Sequence, residues 1–434
     1  MRYFIETLGC PKNHVDSEKL AGLLVTQGYE PTERIDEADL VVANTCAFIE
    51  AAREESVDTV LELAERKRDS ARLVVTGCMA ERYGDELAAA LPEVDLVAGF
   101  GQSLIPGPTP TPVTLAKRPT SDFDLLNLPR PRTTSPWAYV KIAEGCDRRC
   151  GFCAIPTFRG DQRSRSTEEI VAEARGLAAG GVSELVLIAQ DLASWGHDRR
   201  RAGRGEPVEA LDDGDRQPLI GLTRALSAEV ERVRLLYLYP SGLTPGLIEA
   251  IVETGVPYFD LSLQHSSRPL LRAMRRWGDG SRFLERIATI RAMAPEATFR
   301  SSFILGYPGE TEDDQRDLVA FIEAAQLDWA GFFTFSPEEG TMAGSLDDQV
   351  PHELALERLR EVSEIQDAIT ARRRDAMVGR RLRLLVDAPG VARSVHECPE
   401  IDGIVIVDPS FPVGTLFDGE VVASRGTDLE AVPV

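Results

Sequence analysis

Three cysteines crowd into eight residues of the run Gly145-Cys146-Asp147-Arg148-Arg149-Cys150-Gly151-Phe152-Cys153, with the spacing C-x₃-C-x₂-C. Three thiolates suit three corners of a four-iron, four-sulfur cube, whose protein ligands normally number four. The missing ligand leaves one iron open to a substrate. The competing use of such thiols is a structural zinc site, which is closed by four ligands. No histidine lies between Lys141 and Pro156 to complete one. Cys10, Cys46 and Cys78 form no short motif, yet their contexts match: each follows a strand-like run, Glu6-Thr7-Leu8-Gly9, Val42-Ala43-Asn44-Thr45 and Val75-Thr76-Gly77. Equivalent strand ends of a parallel sheet lie along one carboxyl edge, where ligands bind. Three cysteines there can converge on a second cluster whose open iron holds a sulfur atom, with Gly9 and Gly77 letting the backbone come close. The alternative is three small buried apolar residues. His14 stands alone and reads as a surface or core residue, and Cys398, with no partner pattern, reads as structural.

The elements that must position these residues follow from periodicity. Residues 1–102 alternate apolar strand candidates (Tyr3–Leu8, Leu40–Asn44, Leu73–Thr76, Asp95–Ala98) with helical stretches (Ser17–Gln27, Ala51–Arg66, Gly84–Ala90), which implies a parallel α/β domain. Eight prolines between Pro106 and Pro136 rule out a helix or central strand and mark residues 103–132 as a linker. Residues 133–378 show six strand–helix units, with strands at Ala138–Ala143, Leu185–Ala189, Val233–Tyr239, Tyr258–Leu263, Thr298–Leu305 and Trp329–Phe335. Six units are two short of a (β/α)₈ barrel, so the expectation is an open, partial (β/α) barrel with its active face at the loops after the strands. The Arg-, Gly- and Asp-rich Gly196–Pro218 reads as a mobile surface loop. Residues 379–434, with short strands at Leu382–Val386, Ile404–Val407 and Glu420–Ala423, suit a small C-terminal β-barrel.

Composition narrows the class. A chain of 434 residues with 43% hydrophobic content is an ordinary globular protein of about three domains. No apolar run reaches the roughly 20 residues that span a bilayer. The N-terminus meets Glu6 too early for a signal peptide. These features predict a cytoplasmic protein with no membrane partner. Seven cysteines, an odd count, argue against a disulfide framework. A net charge of −22 repels polyanions and favours basic partners.

The C-x₃-C-x-aromatic-C motif carrying Phe152 resembles the radical S-adenosylmethionine superfamily. There the open iron chelates the cofactor's amino and carboxylate groups, and an electron from the cluster cleaves its sulfonium to a 5′-deoxyadenosyl radical. Such a radical abstracts hydrogen from carbon that no protein base can deprotonate. With the N-terminal three-cysteine segment and the C-terminal barrel, the chain is similar to the methylthiotransferases over nearly its whole length. The residues that carry this are Gly9-Cys10-Pro11-Lys12-Asn13 with Asp16-Ser17-Glu18, Asn44-Thr45-Cys46, Leu263-Gln264-His265, Gly306-Tyr307-Pro308-Gly309-Glu310, Phe335-Ser336-Pro337-Glu338-Glu339-Gly340-Thr341 and Pro399-Glu400-Ile401-Asp402-Gly403. The opening resembles the branch that modifies a ribosomal protein; the tRNA branch typically has Gln-Met after the first cysteine. The resemblance implies two 4Fe-4S clusters, and S-adenosylmethionine as both methyl donor and radical source. It implies a methylthio group placed on the β-carbon of an aspartate in the small-subunit ribosomal protein numbered twelve, with separate electron and sulfur donors. It also implies a TRAM barrel at the C-terminus. A tRNA adenosine methylthiotransferase and a zinc-stabilised binding protein stay open as alternatives.

Residues 381–434 carry four arginines against nine acids, a net charge of −5, which suits a basic protein better than RNA. Glu400 and Asp402 are expected in a barrel loop that meets the partner. Gln190 and Asp191 end the second barrel strand, where radical enzymes often have Gly-Gly-Glu, and stand as replacements for that cofactor contact. On the fifth strand Thr298, Arg300, Ser302 and Ile304 share one face. This marks a polar lumen in which Arg300 and Ser302 meet the cofactor; an ion pair is the other use of Arg300. Phe299 and Phe303 should face the helices. Arg372-Arg373-Arg374 reads as a solvated helix face.

Overall fold

The computed structural model describes residues 1–105, 125–131, 133–202 and 217–434. Most of the proline-rich stretch and of the Gly196–Pro218 insertion lies outside them. The chain forms two compact units: one of Met1–Arg132, Ala143–Arg148 and Ala154–Arg165, the other of Thr133–Ile142, Arg149–Cys153 and Ser166–Val434.

In the first unit five parallel strands, β1 (Arg2–Thr7), β2 (Glu30–Pro31), β3 (Leu40–Thr45), β4 (Arg72–Gly77) and β5 (Leu96–Val97), stand in the order β2-β1-β3-β4-β5. Every residue of β3 is buried, because helices cover both faces of the sheet. Alternation sorts its side chains. Leu40 and Val42 pack with Leu20 and Leu24 of α1 (Pro11–Thr26). Val41 and Ala43 pack with Val60 and Leu63 of α2 (Glu50–Arg66) and Met79 of α3 (Cys78–Ala90). Each such side chain contributes roughly 1.5–3 kcal/mol of burial. Two helices start earlier than periodicity indicates: α1 at Pro11, suited to a first turn, and α3 at Cys78 with a kink at Gly84. The expected linker also has structure at its end. Lys19, fully buried on α1, donates to the carbonyls of Leu126 (2.5 Å) and Leu128 (3.3 Å). Gly22 leaves room for the backbone of Pro129.

In the second unit β6 (Trp137–Lys141), β9 (Glu184–Ile188) and β10 (Arg232–Leu235) form one parallel sheet, and β11 (Tyr258–Gln264), β12 (Thr298–Leu305) and β13 (Trp329–Thr334) another. A parallel bridge between Leu238 and Leu261 links them. The result is six strands in chain order with open ends, the partial barrel that six strand–helix units imply. Phe303 faces outward against Phe321 of the helix Glu312–Ala325, ring centroids 6.1 Å apart. Residues 143–144 and 163–164, read as part of the barrel region, instead pair as a two-stranded ladder, β7 with β8, inside the first unit.

The C-terminal strands β14 (Arg381–Ala388), β15 (Val391–Arg393), β16 (Val405–Ile406), β17 (Leu416–Arg425) and β18 (Asp428–Pro433) close into a barrel. A buried charge cluster joins it to the barrel strands of the same unit. Glu184 of β9 accepts from Arg234 (2.8 Å) and Arg393 (3.1 Å), and none of the three is more than 2% exposed. The arginines hold the Glu184 carboxyl down to about 2 against the desolvation that raises it. Among the described residues, five of the nine barrel acids have arginine partners: Asp387 with Arg393, Glu397 with Arg374, Asp402 with Arg300, Asp418 with Arg383 and Glu430 with Arg425. The acid surplus is thus partly internal, not a bare surface field. Arg374 is buried against Glu397 and Arg373 reaches Asp328 (2.6 Å), so only Arg372 fits the expected solvated face.

Candidate functional site

The parallel sheet of the first unit ends its three central strands on cysteine. Cys10 caps α1 after β1, Cys46 follows β3, and Cys78 opens α3 directly after β4. Gly9 and Gly77 hold φ of +92° and +93°, a region open to glycine at little cost. A Cβ on Gly9 would lie 2.7 Å from the Cβ and 2.9 Å from the Sγ of Cys46, and one on Gly77 would strike Asn44 and the Thr45 carbonyl. Cys46 therefore packs against Gly9, and the strand end before Cys46 packs against Gly77, at two backbone positions where nothing but hydrogen fits.

Asn13, fully buried, ties the three ends together. Its amide donates to the carbonyls of Leu8 (2.8 Å) and Thr45 (3.2 Å), and its oxygen lies 3.6 Å from Cys78 Sγ. Asn44 donates in turn to the Asn13 carbonyl (2.9 Å) and Ser17 Oγ (2.9 Å). Ser56 of α2 accepts from the Cys46 amide and donates to the Cys46 carbonyl, both at 3.1 Å. Arg159, at the end of α4 (Ile155–Arg159), donates from Nη2 to Cys78 Sγ (3.0 Å) and Asn13 Oδ1 (2.8 Å). Its Nη1 reaches Glu144 (2.8 Å) and Asp16 (3.3 Å). Burial pushes the Cys78 thiol up to about 12, and the nearby Cys10 and Cys46 add to the rise while Arg159 opposes it. Cys46 is raised for the same main reason.

Three soft thiols, Cys46 and Cys78 buried and Cys10 half-buried, beside a guanidinium fit an anionic iron–sulfur group, since metal ligation requires thiolates. Among the described residues no three His, Cys, Asp or Glu converge on the position of one ion. Ligands of a four-iron cube bind different irons and need no such convergence. His14 is exposed, and Cys398 is fully buried in the other unit.

Cys146 belongs to the first unit, and Cys150 and Cys153 belong to the second. In the first unit the Cys146 amide donates to the Gly160 carbonyl (3.0 Å), and Gly145 at φ +78° abuts the backbone of Gly160 and Asp161. In the second unit Gly151 donates to the Met274 carbonyl (2.9 Å) and accepts from Ala343 (2.8 Å). A Cβ there would lie 2.7 Å from Met342 Cε, 2.8 Å from the Tyr307 hydroxyl and 3.1 Å from the Ala273 carbonyl. Arg276 comes within 3.5 Å of Cys150 Sγ and stacks its guanidinium over Tyr239 at 4.0 Å.

The sequence motifs cluster at the carboxyl ends of β11, β12 and β13 in that unit. Gln264 takes φ +74°. His265, fully buried, accepts at Nδ1 from the Ser267 amide (3.0 Å), and burial lowers it to about 4, so it is neutral. Glu310 accepts from the amides of Gly306 (2.7 Å) and Tyr307 (3.3 Å) and pairs with Arg358 (2.9 Å). Glu338 accepts from Ser336 (2.6 Å). Gln190 and Asp191 stand at the carboxyl end of β9, half-buried and buried, with Asp191 accepting from Ser194 (2.7 Å). Phe152 and Ser302 are half-buried.

The structure decides between the two uses open to Arg300 only as far as its ion pairs, and it corrects the expectation for Asp402. Arg300 sits third in β12, near its amino end, and its guanidinium pairs with Asp260 (3.1 Å) and Asp402 (3.6 Å). This is a strand-to-barrel ion pair in the second unit, the other use that the sequence left open for Arg300. Asp402 is no docking residue: its side chain is 1% exposed, accepting from Tyr258 (2.6 Å) and from the Cys398 amide (2.8 Å). Burial raises it to about 6. Glu400 is exposed at φ +64°. Arg159 and Arg276 escaped the sequence reading because their partners lie far away in the chain, at residues 13, 16 and 78 for Arg159 and at 150 for Arg276.

Residues 2–99 match an uncharacterized protein family, UPF0004, residues 140–322 the radical SAM superfamily, and residues 378–434 the TRAM domain. A radical S-adenosylmethionine methyltransferase, TsrM from Kitasatospora setae, shares the fold with a TM-score of 0.50 at 13% identity, over 95% of this chain and 80% of its own. Order and architecture together define a radical S-adenosylmethionine enzyme flanked by a three-cysteine α/β domain and a TRAM barrel.

Within that class the relatives are specific. The ribosomal protein uS12 methylthiotransferase RimO of Moorella thermoacetica is 43% identical over 96% of this chain and 95% of its own. The proteins of that name from Thermosynechococcus vestitus and Streptomyces coelicolor are 42% and 40% identical, over 98% and 99% of this chain and 95% and 96% of their own. The chain belongs to the RimO family of radical methylthiotransferases. No helix among the described residues is long and apolar enough to cross a membrane.

Proposed function

We propose that this enzyme places a methylthio group on the β-carbon of an aspartate in ribosomal protein uS12, using two 4Fe-4S clusters. Cys146, Cys150 and Cys153 hold the radical cluster, and Cys10, Cys46 and Cys78 hold the second. The observation that carries this reading is the gathering of three sequence-distant cysteines around Asn13 at one sheet edge, in a chain that also has a C-x₃-C-x₂-C loop. When bound, the radical cluster supplies the electron that cleaves the sulfonium of S-adenosylmethionine.

The chain's own groups then have definable tasks. Phe152 and Ser302 border the cofactor, and Gln190 and Asp191, at the end of β9, take its amino group. The Glu310 and Glu338 loops fix the strand ends that face it. Arg159 beside Cys78 accommodates the negative charge of the thiolates. An electron donor and a sulfur donor complete the cycle in the cytoplasm. The exposed acids with no arginine partner among the described residues, Glu400 and Asp408 among them, present complementary charge to a basic ribosomal protein.

Mass spectrometry of uS12 from cells with and without this gene tests the reading. A methylthio adduct on an aspartate that vanishes with the gene is expected. Unchanged uS12, with a lost methylthio group on tRNA adenosine instead, would overturn the substrate.

A further inference from the structure

We infer that Arg159 is a positioning residue of the three-cysteine site, donating a charge-assisted hydrogen bond to the Cys78 sulfur and thereby setting the reduction potential of the group bound there. This rests on the reading that Cys10, Cys46 and Cys78 carry a cluster.

A guanidinium is costly to bury and needs its hydrogen bonds met. Arg159 is 3% exposed. Asp16 and Glu144 alone would balance its charge. Yet the guanidinium is shared: Nη1 points at the carboxylates of Glu144 and Asp16, while Nη2 points at Cys78 Sγ (3.0 Å) and Asn13 Oδ1 (2.8 Å) and, at a longer 3.4 Å, at Asp16. Asn13 is the residue that also braces the carbonyls of Leu8 and Thr45, next to the other two cysteines. The arginine is therefore built into the frame of the site on its sulfur side, and its orientation is fixed from two directions. Phe100 lies against its face at 4.7 Å, which restricts tilting.

The physics of such an arrangement is directional. Positive charge and N–H···S bonds stabilise the reduced, more negative form of an iron–sulfur group and raise its potential. Arg159 also screens the site from Asp16 and Glu144. Removing it takes away the hydrogen bond and leaves two carboxylates uncompensated, and both changes push the potential the same way, to more negative values. The sequence places Arg159 only six residues after Cys153, so the segment that leaves the radical loop delivers this group to the first unit.

The test uses the full chain with Cys146, Cys150 and Cys153 replaced by Ala, so that any remaining iron reports the N-terminal site. This parent is compared with the same chain carrying Arg159→Met or Arg159→Lys, by iron and sulfide content, electron paramagnetic resonance of the reduced state and a redox titration. Lysine keeps the charge but not the fork that serves sulfur and carboxylate together. The expected result is a cluster in all three, with the reduction equilibrium of Arg159→Met at least tenfold less favourable, 59 mV for a one-electron couple. Arg159→Lys should fall between. A titration curve of Arg159→Met that overlays the parent overturns the inference. If Arg159→Met fails to load, Arg159→Lys decides: a shift to more negative potential supports the inference, and an unchanged potential overturns it. Loss of the cluster from both variants, with the fold intact by circular dichroism, also overturns it, because the role is then assembly and not potential. A parent without iron would instead sink the two-cluster reading, and so the two failures are distinguishable.

Discussion

Replacing Gly151 with alanine should damage radical chemistry more than it damages the fold. The new Cβ meets Met342 Cε at 2.7 Å, the Tyr307 hydroxyl at 2.8 Å and the Ala273 carbonyl at 3.1 Å. Of these, Met342 can swing its methyl away. The Tyr307 hydroxyl is held by its own hydrogen bond to the Ala273 carbonyl (3.1 Å), and that carbonyl is backbone. Two of the three neighbours resist, so the loop between Cys150 and Cys153 must give. Overpacking of this kind costs about 1–3 kcal/mol, felt as a modest fall in melting temperature. A displacement near 1 Å at reacting groups costs on the order of a hundredfold in rate. Iron content should stay near that of the unmodified enzyme while 5′-deoxyadenosine formation, assayed anaerobically with a chemical reductant, falls by about that factor. Tyr307→Phe removes the closer of the two stiff contacts. It should cost roughly 1 kcal/mol alone and restore part of the activity in the double variant, a coupling that a double-mutant cycle reads. Near-normal cofactor cleavage by Gly151→Ala, or no recovery in the double variant, would refute the argument that this close approach positions the loop.

Replacing Cys10, Cys46 and Cys78 together with Ala should remove about half of the iron, the share of one of two equal clusters, and leave 5′-deoxyadenosine formation detectable; undiminished iron would return these residues to the core. Acid should unfold the second unit through Glu184 and Glu397, whose ordinary value of 4.5 is held down to about 2 by buried arginines. A lowered carboxyl stabilises above the unfolded value, so this contribution is lost as pH falls from 4.5 towards 2, and Glu184→Gln should flatten that part of a melting-temperature profile. Asp402 has the opposite sign: raised from 3.8 to about 6, its contribution is full below 3.8 and fades as pH rises through 6, which Asp402→Asn should abolish. Reversing the exposed Glu400 and Asp408 to Lys should weaken binding to uS12 roughly severalfold at low ionic strength and less at high salt. Binding that tightens instead would contradict a basic partner.

The local pattern carried much of the architecture. Thr298–Leu305 is a strand with the bounds its alternation indicates, and six strand–helix units become six parallel strands because period and order are local properties of the chain. The radical loop was legible for the same reason: its three thiols lie within eight residues, and their spacing is written in sequence. The placement of Cys10, Cys46 and Cys78 along one sheet edge was legible at one remove, since each follows a strand and parallel strands align their ends. What the local pattern does not encode is the partner of a charge. Arg300 and Asp402 looked like site and docking residues, yet each neutralises the other across about a hundred positions of sequence. Arg159 and Asn13 meet across 146 positions. A buried charge is stable only with partners supplied by the folded chain, and those partners are chosen by tertiary packing, where sequence distance carries no information.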